Sequence, residues 1–146
     1  MKQNALGESY CQTPKNESLI GTMRYCVPGD PIPWQRPGRR GSRYFDRQKH
    51  LKMTTGVILS NQHGQNPLFS GPLKADLVFY FKIPLSRRSI RPGDYYWQKP
   101  DNDNLCGFYF DAAKGIILVD DAMICNQTVL KFYDIEPRTE LIITRL

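Results

Sequence analysis

Four aspartates form two short acidic motifs in a chain that is otherwise rich in basic residues. Asp101 and Asp103 lie in the run Asp-Asn-Asp-Asn, and Asp120 and Asp121 are adjacent further along the chain. Carboxylate oxygens are the ligands that Mg²⁺ and Mn²⁺ prefer in proteins. If the two motifs are neighbours in the fold, their mutual repulsion favours the binding of a divalent cation. The pattern therefore predicts a site for Mg²⁺, with Mn²⁺ as a possible substitute, built from these four side chains.

Ordinary structural roles also explain each motif when it is taken alone. Asp103 could cap a helix, and the Asp120-Asp121 pair could form a turn after an apolar segment. A calcium loop of the EF-hand type also begins Asp-x-Asp, but that loop needs glycine at its sixth position and an acid at its twelfth. Here those positions hold Cys106 and Ala112, so an EF-hand is excluded.

The charge of the chain favours a polyanionic partner. The net charge is +6 and the pI is about 9.2, which suits nucleic acid but would also suit an anionic membrane surface. Basic residues are concentrated between Arg36 and Lys52, next to and among aromatic residues. The candidate DNA contacts in this stretch are Arg36, Arg39, Arg40 and Arg43. A second basic and aromatic patch contains Arg87, Arg88, Arg91, Tyr95, Tyr96 and Trp97. Aspartate-bound metal beside basic loops suits phosphodiester hydrolysis, because the metal activates water and neutralises the leaving oxygen.

Hydrophobic periodicity predicts one α+β domain. Apolar and polar residues alternate from Lys74 to Ile83, which is typical of a strand, and helical spacing recurs between Asn104 and Ala113. We expect a flexible N-terminal tail over residues 1–22 and a single domain over residues 23–146, with a mixed β-sheet covered by two helices in two layers. The other expected elements are a strand at Met23–Val27, a basic loop or hairpin, a helix from an N-cap at Asp46 to Gln62, and strands at Ile116–Val119, Ile124–Tyr133 and Thr139–Arg145.

The remaining sequence features argue for a reduced, non-membrane environment. The first twenty residues lack the apolar segment of a secretory signal, so we expect a cytoplasmic protein with no membrane partner. The four cysteines form no Cys-x-x-Cys pair, and we expect free thiols rather than a zinc site. His50 and His63 have no partner at metal-ligand spacing, and we expect both on exposed helix positions.

The acidic motifs and their surroundings resemble a known family. The run Lys99–Leu105, the pair Asp111-Ala112 and the run Val119–Ala122 resemble the signature of RusA-type Holliday-junction resolvases. The segment Pro28–Pro37 is similar to the opening proline-rich basic loop of that family. The resemblance implies a homodimeric, RusA-like fold and a metal-dependent endonuclease that resolves branched DNA by paired nicks in recombination and repair. It also implies no small-molecule cofactor and a bacterial or phage-encoded protein associated with the nucleoid.

Carried over position by position, the resemblance makes Asp101, Asp103 and Asp121 the essential catalytic and metal-binding carboxylates. Asp120 is a candidate fourth metal ligand. The family commonly has a catalytic lysine where this chain has Gly107. We hypothesise that Lys99 or Lys114, both candidate DNA contacts, reaches the same phosphate from another direction.

Two alternatives remain open from the sequence. The absence of a lysine at Gly107 would also suit a protein that binds branched DNA and cuts it slowly or not at all. The run Ile116–Asp121 resembles the ribose-phosphate motif of phosphoribosyltransferases, but Cys125, Asn126 and Gln127 stand where that motif needs glycines for close approach of backbone N–H groups to phosphate.

Overall fold

The computed structural model describes residues 21–146, which form a four-stranded mixed sheet with two helices and a separate small hairpin. Residues 1–20, which hold most of the expected N-terminal tail, lie outside the described part of the chain. Thr22, the last residue of that expected tail, already belongs to the first described strand. Among residues 21–146, no helix is both long enough and apolar enough to cross a lipid bilayer.

The elements follow one another in the order that the sequence patterns indicate, with one exception given below. The described elements are β1 (Thr22–Pro28), β2 (Gly38–Arg40), β3 (Arg43–Phe45), α1 (Lys49–His63), β4 (Leu73–Lys82), α2 (Asn102–Ala113), a 3-10 turn (Asp121–Met123), β5 (Ile124–Asp134) and β6 (Arg138–Arg145). The sheet has the strand order β1-β6-β4-β5, in which β5 runs parallel to β4 and the other neighbours are antiparallel. Within the described part of the chain, strands β2 and β3 pair with each other alone and form the basic hairpin.

The alternation in β4 divides the sheet into a buried face and a partly exposed face. Ala75, Leu77 and Phe79 are fully buried, whereas Asp76 and Val78 on the opposite face are half-buried. Successive strand side chains point to opposite faces, so the buried set must lie under the helices. The predicted α+β fold with a mixed sheet and two helices is thus confirmed.

Helix α2 is held firmly against this buried face. Leu105 and Phe108 are fully buried, Tyr109 nearly so, and the Tyr109 ring packs against Phe79 of β4 with ring centroids 5.6 Å apart. Truncating a buried phenylalanine to alanine typically costs about 3–5 kcal/mol. The helix therefore provides a rigid support for side chains at its two ends.

The predicted strand at Ile116–Val119 is wrong. These residues form a turn after α2, in which the backbone N–H groups of Ile116 and Ile117 both donate to the Ala113 carbonyl. Gly115, at φ +76°, reverses the chain direction, and Leu118 makes only isolated bridges. Ile117 and Leu118 are fully buried, so the short apolar run reflects burial in the core rather than strand pairing.

Both helices begin at other residues than the sequence suggested. Helix α1 begins at Lys49 after an N-cap at Gln48, while Asp46 lies outside it and accepts a hydrogen bond from the Gln48 backbone N–H at 2.8 Å. Helix α2 begins two residues earlier than predicted, with Asp101 at its N-cap and Asp103 in its first turn. Both acids of the first motif therefore lie at the N-terminal end of α2.

His63 is buried, contrary to the expectation that it lies on the surface, whereas His50 is exposed. Only 2% of His63 is accessible, and its Nδ1 lies 2.7 Å from the Tyr25 hydroxyl oxygen. Its Nε2 lies 3.1 Å from the carbonyl oxygen of Pro67. The imidazole thus joins the end of α1 to β1 with both ring nitrogens satisfied.

Candidate active site

The first acidic motif sits at the start of α2 and is paired with a lysine. The Lys99 Nζ donates to both carboxylate oxygens of Asp101, at 2.8 Å and 3.0 Å. This hydrogen bonding raises the pKa of Lys99, and the charge of Asp103 adds to the effect. About half of the Asp101 side chain remains accessible, so solvent and ligands can reach this carboxylate.

The second acidic motif follows the turn after α2 and is also paired with a lysine. The Lys114 Nζ lies 3.5 Å from Asp120 Oδ1 and 3.8 Å from Asp121 Oδ1. Asp120 Oδ1 accepts a hydrogen bond from the Ala122 backbone N–H at 3.0 Å. That hydrogen bond, together with the contacts to Asp121 and Lys114, lowers the pKa of Asp120. Asp120 is therefore ionised throughout the neutral range.

The two acidic motifs lie at different ends of α2 in the single chain. At a rise of 1.5 Å per residue, a helix of 12 residues is about 18 Å long. Asp101 and Asp103 lie at its start, while Asp120 and Asp121 contact Lys114, the residue that follows its last turn. Among residues 21–146, no three or more His, Cys, Asp or Glu side chains are close enough to hold one metal ion. The predicted convergence of three carboxylates is thus not present in these side-chain positions, and the metal-binding roles of the four aspartates stay predictions.

The carboxylate oxygens of the four aspartates are suitable ligands for a hard divalent cation, although the two pairs of aspartates lie apart in the structure. All four side chains offer carboxylate oxygens, which suit Mg²⁺ and Mn²⁺. Lys99 at one motif and Lys114 at the other show that each motif already attracts a cationic group. The structure therefore offers one pair of carboxylates at each place, rather than three carboxylates at one place.

The proline-rich segment after β1 brings the basic hairpin to the side of α2. The Trp34 backbone N–H donates to the Asn104 carbonyl at 2.8 Å, and the Ile32 N–H donates to the Tyr109 hydroxyl at 3.0 Å. The segment therefore crosses α2 between Asn104 and Tyr109, and its contact with Asn104 lies next to the first acidic motif. The predicted DNA contacts Arg36, Arg39, Arg40 and Arg43 follow it and are all exposed.

An ion-paired cluster that the sequence analysis did not find fixes the base of the hairpin. The Lys52 Nζ on α1 lies 2.9 Å from Asp46 Oδ2 and 3.2 Å from Asp111 Oδ2 on α2. Asp111 belongs to the Asp-Ala pair that resembles the family motif. Because Lys52 joins the end of the hairpin to both helices, Asp111 has a positioning role in this structure.

Gly107 faces Trp34, whose side chain lies beside the position where the family commonly has a lysine. A β-carbon at Gly107 would lie 3.6 Å from Trp34 Cβ and 3.8 Å from Trp34 Cγ. The indole of Trp34 therefore covers this part of the helix that carries Asp103. A lysine here would have to pass along the indole to reach solvent.

Lys131 is a further cation near the first motif that the sequence analysis missed. Its Nζ donates to the carbonyl oxygens of Gln98 and Pro100, at 2.9 Å and 2.8 Å, directly before Asp101. Desolvation lowers the pKa of Lys131. In the β4–β5 register Lys131 lies beside Phe79, so it is a lysine on the inward face of a strand. That break in the apolar pattern was the signal that could have revealed it.

Comparison with known proteins decides the family. Residues 28–144 match the family described as Endodeoxyribonuclease RusA. The chain belongs to the RusA family. A relative in Bacillus subtilis (strain 168), uncharacterized protein YqaN, is 28% identical over 139 residues, which cover 83% of this chain and 94% of that protein. Membership of the RusA family confirms the resemblance drawn from the acidic motifs and implies a Holliday-junction resolvase nuclease that acts on DNA.

Proposed function

We propose that this RusA-family chain is a Mg²⁺-dependent endonuclease that resolves four-way DNA junctions by paired nicks, with Mn²⁺ as a substitute metal. Family membership over residues 28–144 supports the reaction. The observation that carries the proposal is the pairing of each acidic motif with a lysine ammonium, because negative charge attracts a cation at the start of α2 and again beyond its end.

The proposed roles follow from the family resemblance and not from the side-chain positions, which keep the two motifs apart. Asp101 and Asp103 at the start of α2 and Asp121 beyond its other end are the proposed metal-binding residues, and Asp120 is a fourth candidate. When bound, the metal activates the attacking water and neutralises charge on the leaving oxygen. Lys99 and Lys114 each lie at a carboxylate and have a flexible stem, so either can turn to a phosphate oxygen in place of the lysine absent at Gly107.

The DNA partner is proposed to lie across the basic hairpin and the start of α2. Arg36, Arg39, Arg40 and Arg43 contact the phosphate backbone, which makes binding strongly dependent on salt. A homodimer would present two such surfaces and could therefore nick two opposed strands of a junction. We place this activity on branched DNA in the bacterial cytoplasm, with no small-molecule cofactor and no membrane partner.

A junction-binding protein with weak or no cleavage is the second candidate, and the glycine at position 107 favours it. The phosphoribosyltransferase alternative has lost its support, because the residues Ile116–Val119 that it needs as a strand form a turn. The RusA match over most of the chain argues against it as well.

Cleavage of a labelled four-way junction, with and without Mg²⁺, tests the proposal. Asp101→Asn, Asp103→Asn and Asp121→Asn should each lower the cleavage rate by about 100-fold or more, since each removes charge that stabilises the reacting centre. Asp76→Asn is the matched control, because Asp76 also pairs with a lysine, Lys74 at 3.4 Å, but lies on the sheet. This control should cut at the parent rate.

Two outcomes would count against parts of this assignment. Junction binding without cleavage in Mg²⁺ or Mn²⁺ would favour the non-catalytic candidate. If Lys99→Ala, Lys114→Ala and the double variant all cut at the parent rate, these lysines do not compensate for Gly107.

A further inference from the structure

An open pocket with aromatic walls lies directly beside the first acidic motif. Its volume is 740 Å³, and its lining includes Tyr95, Tyr96, Trp97, Lys99, Asp101 and Lys131. Trp97 is 84% exposed and Tyr95 is 68% exposed. A contiguous exposed apolar patch with a polar rim typically marks an interaction site.

The aromatic segment is held in place by the sheet edge. The Tyr96 backbone N–H donates to the Lys131 carbonyl at 2.9 Å, and the Tyr133 N–H donates to the Asp94 carbonyl at 2.8 Å. The Tyr96 ring stacks on Phe81 with centroids 3.8 Å apart. Trp97 therefore projects from an ordered backbone, so the ordering cost of a stacking contact is small.

Tyr95 is fixed in a similar way by the outer face of the sheet. Its ring stacks on Phe132 of β5, with centroids 5.1 Å apart and planes 28° apart. A second pocket, of 480 Å³, shares Tyr95 and Trp97 with the first and adds Arg87 to its lining. The two exposed rings thus stand between two open pockets, each of which also has a basic residue in its lining.

Stacking surfaces flanked by cations suit unpaired nucleotides. Every base presents a flat π-face to an aromatic ring, while the phosphates on either side of it need positive charge. Lys99 and Lys131 border one pocket, and Arg87 borders the other. A fully paired duplex keeps its base faces covered, so it cannot use the exposed rings in this way.

We propose that Trp97 and Tyr95 form a stacking platform for unpaired bases of the DNA strand that approaches Asp101. Lys99 and Arg87 contact the phosphates on either side of the stacked bases. The platform would let the protein select the opened centre of a branched DNA over a continuous duplex. This inference deepens the proposed function by naming the part of the substrate that is recognised.

Binding of fluorescently labelled single-stranded oligo(dT), measured by anisotropy in EDTA, tests the platform without requiring cleavage. The matched ligand is an oligonucleotide of equal length with abasic sites, which keeps the phosphates and removes the bases. Trp97→Ala should weaken oligo(dT) binding by about tenfold, the loss of one base stack, and should leave binding of the abasic strand unchanged. Trp97→Phe should retain most of the affinity, because the phenyl ring still stacks.

The protein control is Leu85→Ala, because Leu85 is 94% exposed in the same loop and lies outside both pockets. It should bind both oligonucleotides as the parent does. Circular dichroism of each variant checks that the sheet is retained.

The inference is overturned if Trp97→Ala weakens the two oligonucleotides equally, since the contact would then be to the backbone. It is also overturned if the variant binds oligo(dT) as tightly as the parent, or if it loses as much affinity for paired duplex as for oligo(dT). A chain that fails to cut junctions but shows the base-dependent loss would refute the proposed nuclease activity and keep the platform. If the protein cuts junctions but Trp97→Ala shows no base-dependent loss of oligo(dT) binding, the nuclease activity is supported and the platform is refuted.

Discussion

Replacing Gly107 with alanine should raise the stability of the protein without changing its activity on DNA. Glycine inside a helix costs about 1 kcal/mol relative to alanine, because it leaves more backbone freedom to be lost on folding. The new β-carbon would meet Trp34 Cβ at 3.6 Å, an ordinary van der Waals distance. The full helical gain of about 1 kcal/mol should therefore appear, which for a domain of this size corresponds to a rise in Tm of roughly 3–5 °C.

The same substitution at other glycines provides a control of each sign. Gly56 lies within α1, and a β-carbon there would be 3.7 Å from the Ala112 carbonyl oxygen, so Gly56→Ala should also stabilise. Gly115 has open space around it but adopts φ +76°. An alanine in that left-handed conformation costs about 1–2 kcal/mol, so Gly115→Ala should lower the Tm.

Thermal unfolding followed by circular dichroism, with junction cleavage measured in parallel, tests these signs. A lower Tm for Gly107→Ala would mean that Trp34 packs more tightly on α2 than its position indicates. A lower cleavage rate with an unchanged Tm would mean that the space at Gly107 is used by the substrate. Either result would refute the hypothesis that the glycine at position 107 affects helix stability alone.

Three further predictions follow from single contacts. Tyr25→Phe should lower the free energy of unfolding, measured in urea, by about 1–3 kcal/mol, because it leaves His63 Nδ1 buried without a partner. A loss under about 0.5 kcal/mol, the size expected for an ordinary surface substitution, would contradict this prediction. Hydrogen bonding from Arg138 lowers the pKa of Asp134 below its ordinary value of 3.8, so its stabilisation is present above that value and is lost as pH falls through the folded pKa. Asp134→Asn should therefore destabilise at neutral pH and flatten the acid side of the stability curve, and equal slopes for parent and variant would refute the ion-pair role. Arg40→Gln should reduce the slope of log affinity for duplex DNA against log salt by about one unit if that side chain contacts a phosphate, and an unchanged slope would remove it from the interface.

Local sequence patterns were sufficient to predict those helices and strands whose own hydrophobic periodicity determines which face is buried. The alternation in β4 and the apolar spacing in α2 predicted both elements to within two residues, because burial on one face imposes a fixed period. The four-residue run Ile116–Val119 misled because periodicity cannot distinguish a short buried strand from a buried turn. The composition of this run does not indicate that the chain turns at the preceding Gly115, and this turn prevents the run from pairing as a strand.

Features that depend on distant partners could not be predicted in this way. The burial of His63 depends on the Tyr25 hydroxyl, which lies far away in the sequence, and the parallel pairing of β4 with β5 depends on the crossover through α2. The sequence correctly placed the first acidic motif at the start of α2, whereas the second motif follows a turn and not the predicted strand. Their separation along α2 could not be predicted, because the path of the chain after Ala113 depends on how the turn packs into the core.

The strand order also has a consequence for how the chain folds during synthesis. Among residues 21–146, strand β6 lies between β1 and β4 and is the one strand paired with β1. Until Arg138–Arg145 has left the ribosome, β1 lacks this neighbour and one side of β4 is open. The apolar core must therefore wait for β6, and a nascent chain stalled before Arg138 should be a substrate for chaperones or proteases.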